Sequence, residues 1–272
     1  MAIFGGIPGE WQTKRILVAV KSYPRPSRSL YETVCVAGVT SEGEWIRLYP
    51  VTFRLLPVES QFDKYDWIEV QVRKSAKDYR AETFEPDVGS IRKVGHISTD
   101  LAWSERKQLL CPKLDPSIEA LRATNRSLGF IRPAHLSHFL IHDETEDKPD
   151  TEQQHAMRQL SFLFPDVEPV EKLARSFRYR FKCTDDCSSF HDLKIVDWEV
   201  FQSYRKWRDS YGPGRVDELM QRKYWEEFRR LDLCLFVGTP LAQDHLRSFI
   251  IIGLFYPPKA SFQSALDLHG ER

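Results

Sequence analysis

Phe177-Arg-Tyr-Arg-Phe-Lys-Cys-Thr-Asp-Asp-Cys-Ser-Ser-Phe-His191 runs directly into Asp192-Leu-Lys-Ile-Val-Asp-Trp-Glu199. Strict alternation of aromatic and basic residues from Phe177 to Lys182 is the period of a strand, with Phe177, Tyr179 and Phe181 on one face and Arg178, Arg180 and Lys182 on the other. Turn-forming residues follow, then a second strand-like segment, then a helix with Asp197 as its N-cap. A strand, a turn, a strand and a helix in immediate succession predict an α+β arrangement.

The same stretch supplies the candidate chemistry. Cations on alternate strand residues stand about 7 Å apart, a spacing that can follow successive phosphates of a nucleic acid. Cys183, Cys187 and His191 recur every four residues across the turn, and thiolates with imidazole are the ligands zinc favours. A fourth ligand would be Cys111, Asp185, Asp186 or water, and the role expected of the metal is structural. Asp192-Leu-Lys194 together with Pro165-Asp166 matches the loose Pro-Asp…(Asp/Glu)-x-Lys pattern of metal-dependent nucleases. In that alternative Asp166 and Asp192 hold Mg²⁺ and Lys194 steadies charge on the phosphate and the attacking water.

Beyond the stretch, Asp197 to Tyr211 and Gly214 to Arg230 read as two helices divided by Gly212-Pro-Gly. Their basic residues, Arg205, Lys206 and Arg208 foremost, are interleaved with aromatics, which suits a surface that tracks a nucleic-acid backbone and stacks bases. Acidic residues interrupt the series, so amphipathic helices with salt-bridged outer faces satisfy the same pattern. Leu233–Gly238 and Phe249–Tyr256 are apolar runs expected to be buried strands.

N-terminal to the stretch, Ile16–Val20 is a short apolar run, and Thr33–Gly38 and Glu44–Pro50 flank Ser-Glu-Gly as a hairpin. Trp45, Arg47 and Tyr49 share one face of its second strand, and Ile68, Val70 and Val72 share one face of a later one. Residues 15–98 thus predict a mostly antiparallel sheet or open barrel. Ser104 is placed as the cap of a helix ending near Cys111, and Asp115-Pro116 as the start of a helix over Ser117–Thr124. Leu128–His142 returns to strand periodicity around Pro133, and its three histidines, His135, His138 and His142, read as ordinary polar positions.

The acidic, proline-bearing run Asp143–Asp150 marks the expected boundary: a tail over 1–14, a β-rich half over 15–145 and an α+β half over 146–272. Thr151 with Gln154 reads as a capping box, and Val170–Ser176 as a further helical turn.

The 272 residues include 42% apolar and 12% aromatic residues, ample for a core, and 39 basic residues balance 39 acidic ones. No global field therefore draws the chain to a polyanion, and any such contact must be local. Five cysteines with one close pair are not a disulfide framework, and the N-terminus lacks the charge and apolar run of a signal peptide. The expected location is cytoplasmic, with no membrane association. Phosphate-loop, Gly-x-Gly-x-x-Gly, His-Glu-x-x-His and Gly-x-Ser-x-Gly signatures are absent from the sequence. The leading expectation is a non-enzymatic nucleic-acid-binding protein with a zinc-stabilised loop. The nuclease is one alternative. The other is a protein–protein adaptor presenting Trp45, Tyr49, Trp207 and Trp225.

Overall fold

In the computed structural model, which describes residues 9–27, 30–75, 78–144, 167–241 and 248–259, the hairpin around Ser-Glu-Gly is the seed of a barrel-like sheet. Gly43 takes the left-handed conformation (φ +84°) that this turn requires. It joins β3 (Tyr31–Thr40) to β4 (Trp45–Val51), while β1 (Gln12–Lys21) pairs with β3 on the other side and β2 (Arg25–Ser27) extends β3. β5 (Asp66–Lys74), β6 (Thr83–Pro86) and β7 (Arg92–His96) complete the sheet. The order is β1-β3-β4-β6-β5-β7, and β5 also pairs with β1, which closes five strands into a ring. Only β4 and β6 run parallel among these pairs. The ring is filled by the alternate residues the sequence singled out, including Ile46, Leu48, Ile68, Val70 and Val72, joined by Ile16, Val18, Val34 and Val36.

The second sheet has the order β8-β12-β13-β11-β10-β9. Its strands are β8 (Leu128–Ile131), β9 (His135–Asp143), β10 (Arg175–Lys182), β11 (His191–Ile195), β12 (Cys234–Gly238) and β13 (Ile250–Phe255). Strands at 128–143, before the boundary expected at residue 145, belong to this sheet. Among the described residues four helices accompany the sheets: α1 (Asp100–Leu110), α2 (Ile118–Ala123), α3 (Trp198–Tyr211) and α4 (Pro213–Gln221), the last continuing as helical turns to Arg230. The architecture is α+β.

Local readings are corrected at three places. Ser117, not Asp115, caps α2, accepting from the Ala120 N–H, because the Asp115 carboxylate instead accepts from Phe130 N at 2.9 Å and pairs with Arg126. Val170–Ser176 forms no helical turn: the chain there is irregular before entering β10, whose cross-strand pairing from Arg175 holds it extended. In α1 the residues Leu101–Trp103 have positive φ, so the right-handed stretch begins at Ser104, which is a helical residue there rather than the cap expected of it. The acidic run beyond Glu144 and the Thr151–Gln154 capping box lie outside the described residues.

Each face of the second sheet has its own cover. Phe177, Tyr179, Phe181, Leu235, Val237 and Ile251 pack with Phe201, Tyr204, Val216, Met220 and Tyr224 of the helical layer. On the reverse face Phe130, Val196, Phe236, Ile252 and Phe255 pack against the outside of the barrel through Leu17, Ala19, Val20 and Ala37. The barrel covers the β8–β12–β13 end, and the β9–β10–β11 end carries the polar alternates on that face.

One buried ion pair joins the barrel to the second sheet. Lys64 Nζ donates to Asp197 Oδ2 (3.2 Å), Glu199 Oε2 (3.1 Å) and the Leu254 carbonyl (3.1 Å). Asp197, fully buried, also accepts from Glu199 N as the N-cap of α3 and from Leu254 N. Burial alone would lower the Lys64 pKa, but the carboxylates of Asp197 and Glu199 hold it well above the ordinary lysine value. A raised folded-state pKa means that this contribution to stability is whole below the ordinary lysine range and is lost as pH climbs through the raised value. Lys64→Met strands the Asp197 charge and is expected to cost about 3–5 kcal/mol in urea unfolding at neutral pH. Adding Asp197→Asn, which keeps a capping acceptor without the charge, is expected to restore much of that loss, a non-additivity the double-mutant cycle measures.

Candidate metal centre and basic sheet face

The turn between β10 and β11 folds back on itself through Cys187 N–H to the Thr184 carbonyl, which brings both cysteines to the strand ends. Cys183 follows β10 on the aromatic side and is buried, and His191 opens β11 opposite Phe181, its ring centroid 5.4 Å from that ring. Glu119, in the first turn of α2, reaches the same point. One ligand atom from each of Glu119, Cys183, Cys187 and His191 lies within 4.8 Å of all the others. His191 Nε2 is 3.5 Å from Glu119 Oε1 and 4.0 Å from Cys187 Sγ. Donors around a tetrahedral zinc ion stand about 3.4–3.8 Å apart. The cluster is therefore close to a coordination shell and could hold a metal ion.

Its protonation chemistry fits that use. Burial pushes the Cys183 thiol up to about 12. At Cys187 burial also raises the pKa, but hydrogen bonds from Thr184 and from the Cys183 backbone outweigh it and lower the value, favouring thiolate. Burial lowers the His191 pKa, which keeps the imidazole neutral and its lone pair available. A metal must still displace the Cys183 proton, so binding releases protons.

The three ligands proposed from sequence are brought together, and the protein side chain that joins them is Glu119 rather than Cys111, Asp185 or Asp186. Cys111 packs against the barrel-side core, and the Asp185 carboxylate pairs with His135 Nε2 at 2.8 Å. Asp186 lines a cavity of about 260 Å³ beside the cluster.

On the reverse face of β10 the cations differ in their engagement. Arg178 is paired with Asp192 and donates to its carbonyl, while Lys194 donates to Glu144 Oε1 at 2.6 Å. Arg180 and Lys182 form no ion pair among the described residues. Instead both lie within cation–π distance of the exposed ring of Phe190, at 5.2 and 5.3 Å from its centroid. The helix cations are not on this surface. α3 packs on the aromatic face, with Phe201 and Tyr204 against Phe177, and Arg205 and Arg208 are both bound to Glu171 while Lys206 is exposed. Alternation turns Arg178, Arg180 and Lys182 the other way, so strand and helix cations do not merge into the single basic surface expected.

Two of the three nuclease candidates, Asp192 and Lys194, are each held by a partner of opposite charge, and Asp166 lies outside the described residues. Of the adaptor aromatics, Trp45 packs edge-on against Phe130 and Phe236, Trp207 packs on the helical core, and Trp225 lies parallel to His138. No helix among the described residues is long and apolar enough to cross a membrane.

A family model described as domain of unknown function DUF8758 matches residues 12–112, and one described as domain of unknown function DUF8757 matches residues 116–269. No curated protein matches the chain.

Metal analysis of the purified protein by mass spectrometry is expected to find about one divalent ion per chain. Cys183→Ser and Cys187→Ser should each abolish it. Glu119→Gln, which removes a ligand at the exposed side of the cluster, should weaken retention against a chelator while leaving the fold intact.

Proposed function

The chain belongs to the DUF8757 family, and on that premise we propose that it binds single-stranded nucleic acid on the open face of β9–β10–β11, next to a structural zinc site. The observation that carries this reading is Phe190: an exposed ring with both Arg180 and Lys182 beside it and no carboxylate paired to either cation among the described residues. A base has a π-face to lay on such a ring, and the two cations can meet the flanking phosphates. Two thiolates and an imidazole select zinc over hard cations such as Mg²⁺. In this reading zinc ties the β10–β11 turn to α2 and so fixes the position of Phe190, three residues after one ligand and directly before another.

The balanced charge of the chain gives no long-range attraction, so affinity rests on this patch and is strongly salt-dependent. The Mg²⁺ nuclease has no comparable support, since Asp192 and Lys194 are engaged with Arg178 and Glu144.

Fluorescence anisotropy with a labelled single-stranded oligonucleotide tests the reading. Phe190→Ala should weaken binding by roughly 5- to 100-fold, the range of one lost base–aromatic stack. Arg180→Glu with Lys182→Glu should abolish it at moderate salt and flatten the salt dependence. Binding indifferent to these changes, or a protein partner retained at high salt, would overturn it. Because Phe190 and both cations point away from the core, these variants are expected to unfold at the wild-type temperature.

A further inference from the structure

All five cysteines are free thiols, and two of them stand together. Cys183 is buried at the end of β10, whereas Cys187 is half-buried and forms part of the wall of the cavity of about 260 Å³ beside the cluster. Their Sγ atoms lie within 4.8 Å of each other. The turn between them is closed by the Cys187 N–H, which donates to the Thr184 carbonyl at 3.3 Å. A disulfide holds its sulfurs about 2 Å apart. Rotation of the two side chains, with a small adjustment of so short a turn, can close the remaining gap.

The cavity gives a small oxidant access to one of the two sulfurs. Ser117, Asp186, Ser188 and Ser189 line it, so its wall is polar, and its volume is several times the roughly 30 Å³ that a water molecule takes up in the liquid. Thr184 Oγ1 stands 3.6 Å from Cys187 Sγ, a hydroxyl able to donate to that sulfur as thiolate. Cys187 is thus the sulfur that an oxidant meets first, and Cys183 lies behind it as the sulfur that can complete the bond.

We propose that Cys183 and Cys187 are a reversible oxidation site for hydrogen peroxide, and that their disulfide unloads the metal and with it the Phe190 surface. The proposal rests on the reading in which a metal fixes the β10–β11 turn. In the metal-loaded protein both sulfurs are thiolates. The Cys187 sulfur attacks one peroxide oxygen, the O–O bond breaks, hydroxide leaves and a sulfenic acid forms. The Cys183 thiolate then attacks the Cys187 sulfur, the S–O bond breaks and a second hydroxide leaves. Both hydroxides take protons from solvent, so peroxide is reduced to two waters while two thiolates are oxidised to one disulfide. A disulfide offers no thiolate, which leaves only Glu119 and His191 of the cluster as ligands. Phe190, set between Cys187 and His191 in the sequence, then loses the anchor that positions it.

The test treats the full chain, reduced and loaded with zinc, with hydrogen peroxide in the presence of a chromogenic zinc chelator. Peptide mapping is expected to show a Cys183–Cys187 disulfide, with about one zinc ion released per disulfide, and dithiothreitol with added zinc should reverse both. Cys183→Ser removes the second sulfur, so peroxide should leave Cys187 as a sulfenic acid that dimedone traps. Cys187→Ser should give no adduct at Cys183. The wild-type map needs neither variant, so it decides the matter even if a substitution disturbs the turn. The oxidised chain should bind a single-stranded oligonucleotide as weakly as chelator-stripped protein does. A reduced, zinc-loaded chain that does not bind the oligonucleotide defeats the nucleic-acid reading before any oxidant is added, whereas disulfide formation and zinc release are read without nucleic acid. A reduced chain that takes up no zinc, peroxide that joins or oxidises other cysteines first, a Cys183–Cys187 disulfide that retains zinc, or equal dimedone labelling of both variants would overturn the proposal.

Discussion

Lys64 and Asp197 form the contact on which the arrangement of the two sheets depends. A lysine just before β5 of the barrel reaches a carboxylate that is at once the cap of α3 and an acceptor for the β13 backbone. Neither charge has water to fall back on, so the pair is satisfied only when barrel, helix and sheet are in register. The apolar contact between Leu17, Ala19 and Val20 on one side and Phe236, Ile252 and Phe255 on the other supplies the attraction. The ion pair supplies the specificity, because a shifted docking would leave a lysine and an aspartate buried apart.

That docking decides which surfaces remain for function. By covering one end of the second sheet, the barrel leaves the β9–β10–β11 end free to present Arg180, Lys182 and Phe190. The Glu119–Cys183–Cys187–His191 cluster, which could hold a metal ion, lies on the other side of the same strands, where α2 brings Glu119 against the β10–β11 turn. Core, candidate metal cluster and polar face are thus three consequences of one alternation along Phe177–Lys182.

Period-2 alternation made much of this visible in the sequence. Phe177, Tyr179 and Phe181 are buried as the pattern requires, and the interior of the barrel is lined by Ile68, Val70 and Val72 for the same reason. Cys183, Cys187 and His191 were legible because their spacing is local. Glu119 was not, since its approach to Cys183 is a long-range consequence of where α2 packs. Nor does amphipathicity reveal which face of a sheet a helix will cover, so the separation of Arg205, Lys206 and Arg208 from the strand cations had no sequence signal. Arg47 read only as a neighbour of Trp45 and Tyr49; that its guanidinium is buried against Ser127 follows from the docking of the second sheet. The Val170–Ser176 segment was misjudged because so short a run carries no decisive period.

The central claim is that a metal-fixed turn presents a nucleic-acid surface. The most direct test is the affinity of one single-stranded oligonucleotide for metal-loaded and for chelator-stripped protein, in the same buffer and at two salt concentrations. The account predicts that stripping weakens binding at both, that returning zinc restores it, and that the loaded protein loses affinity with salt. Equal affinity with and without metal would contradict it, leaving the cluster without a part in presenting Phe190.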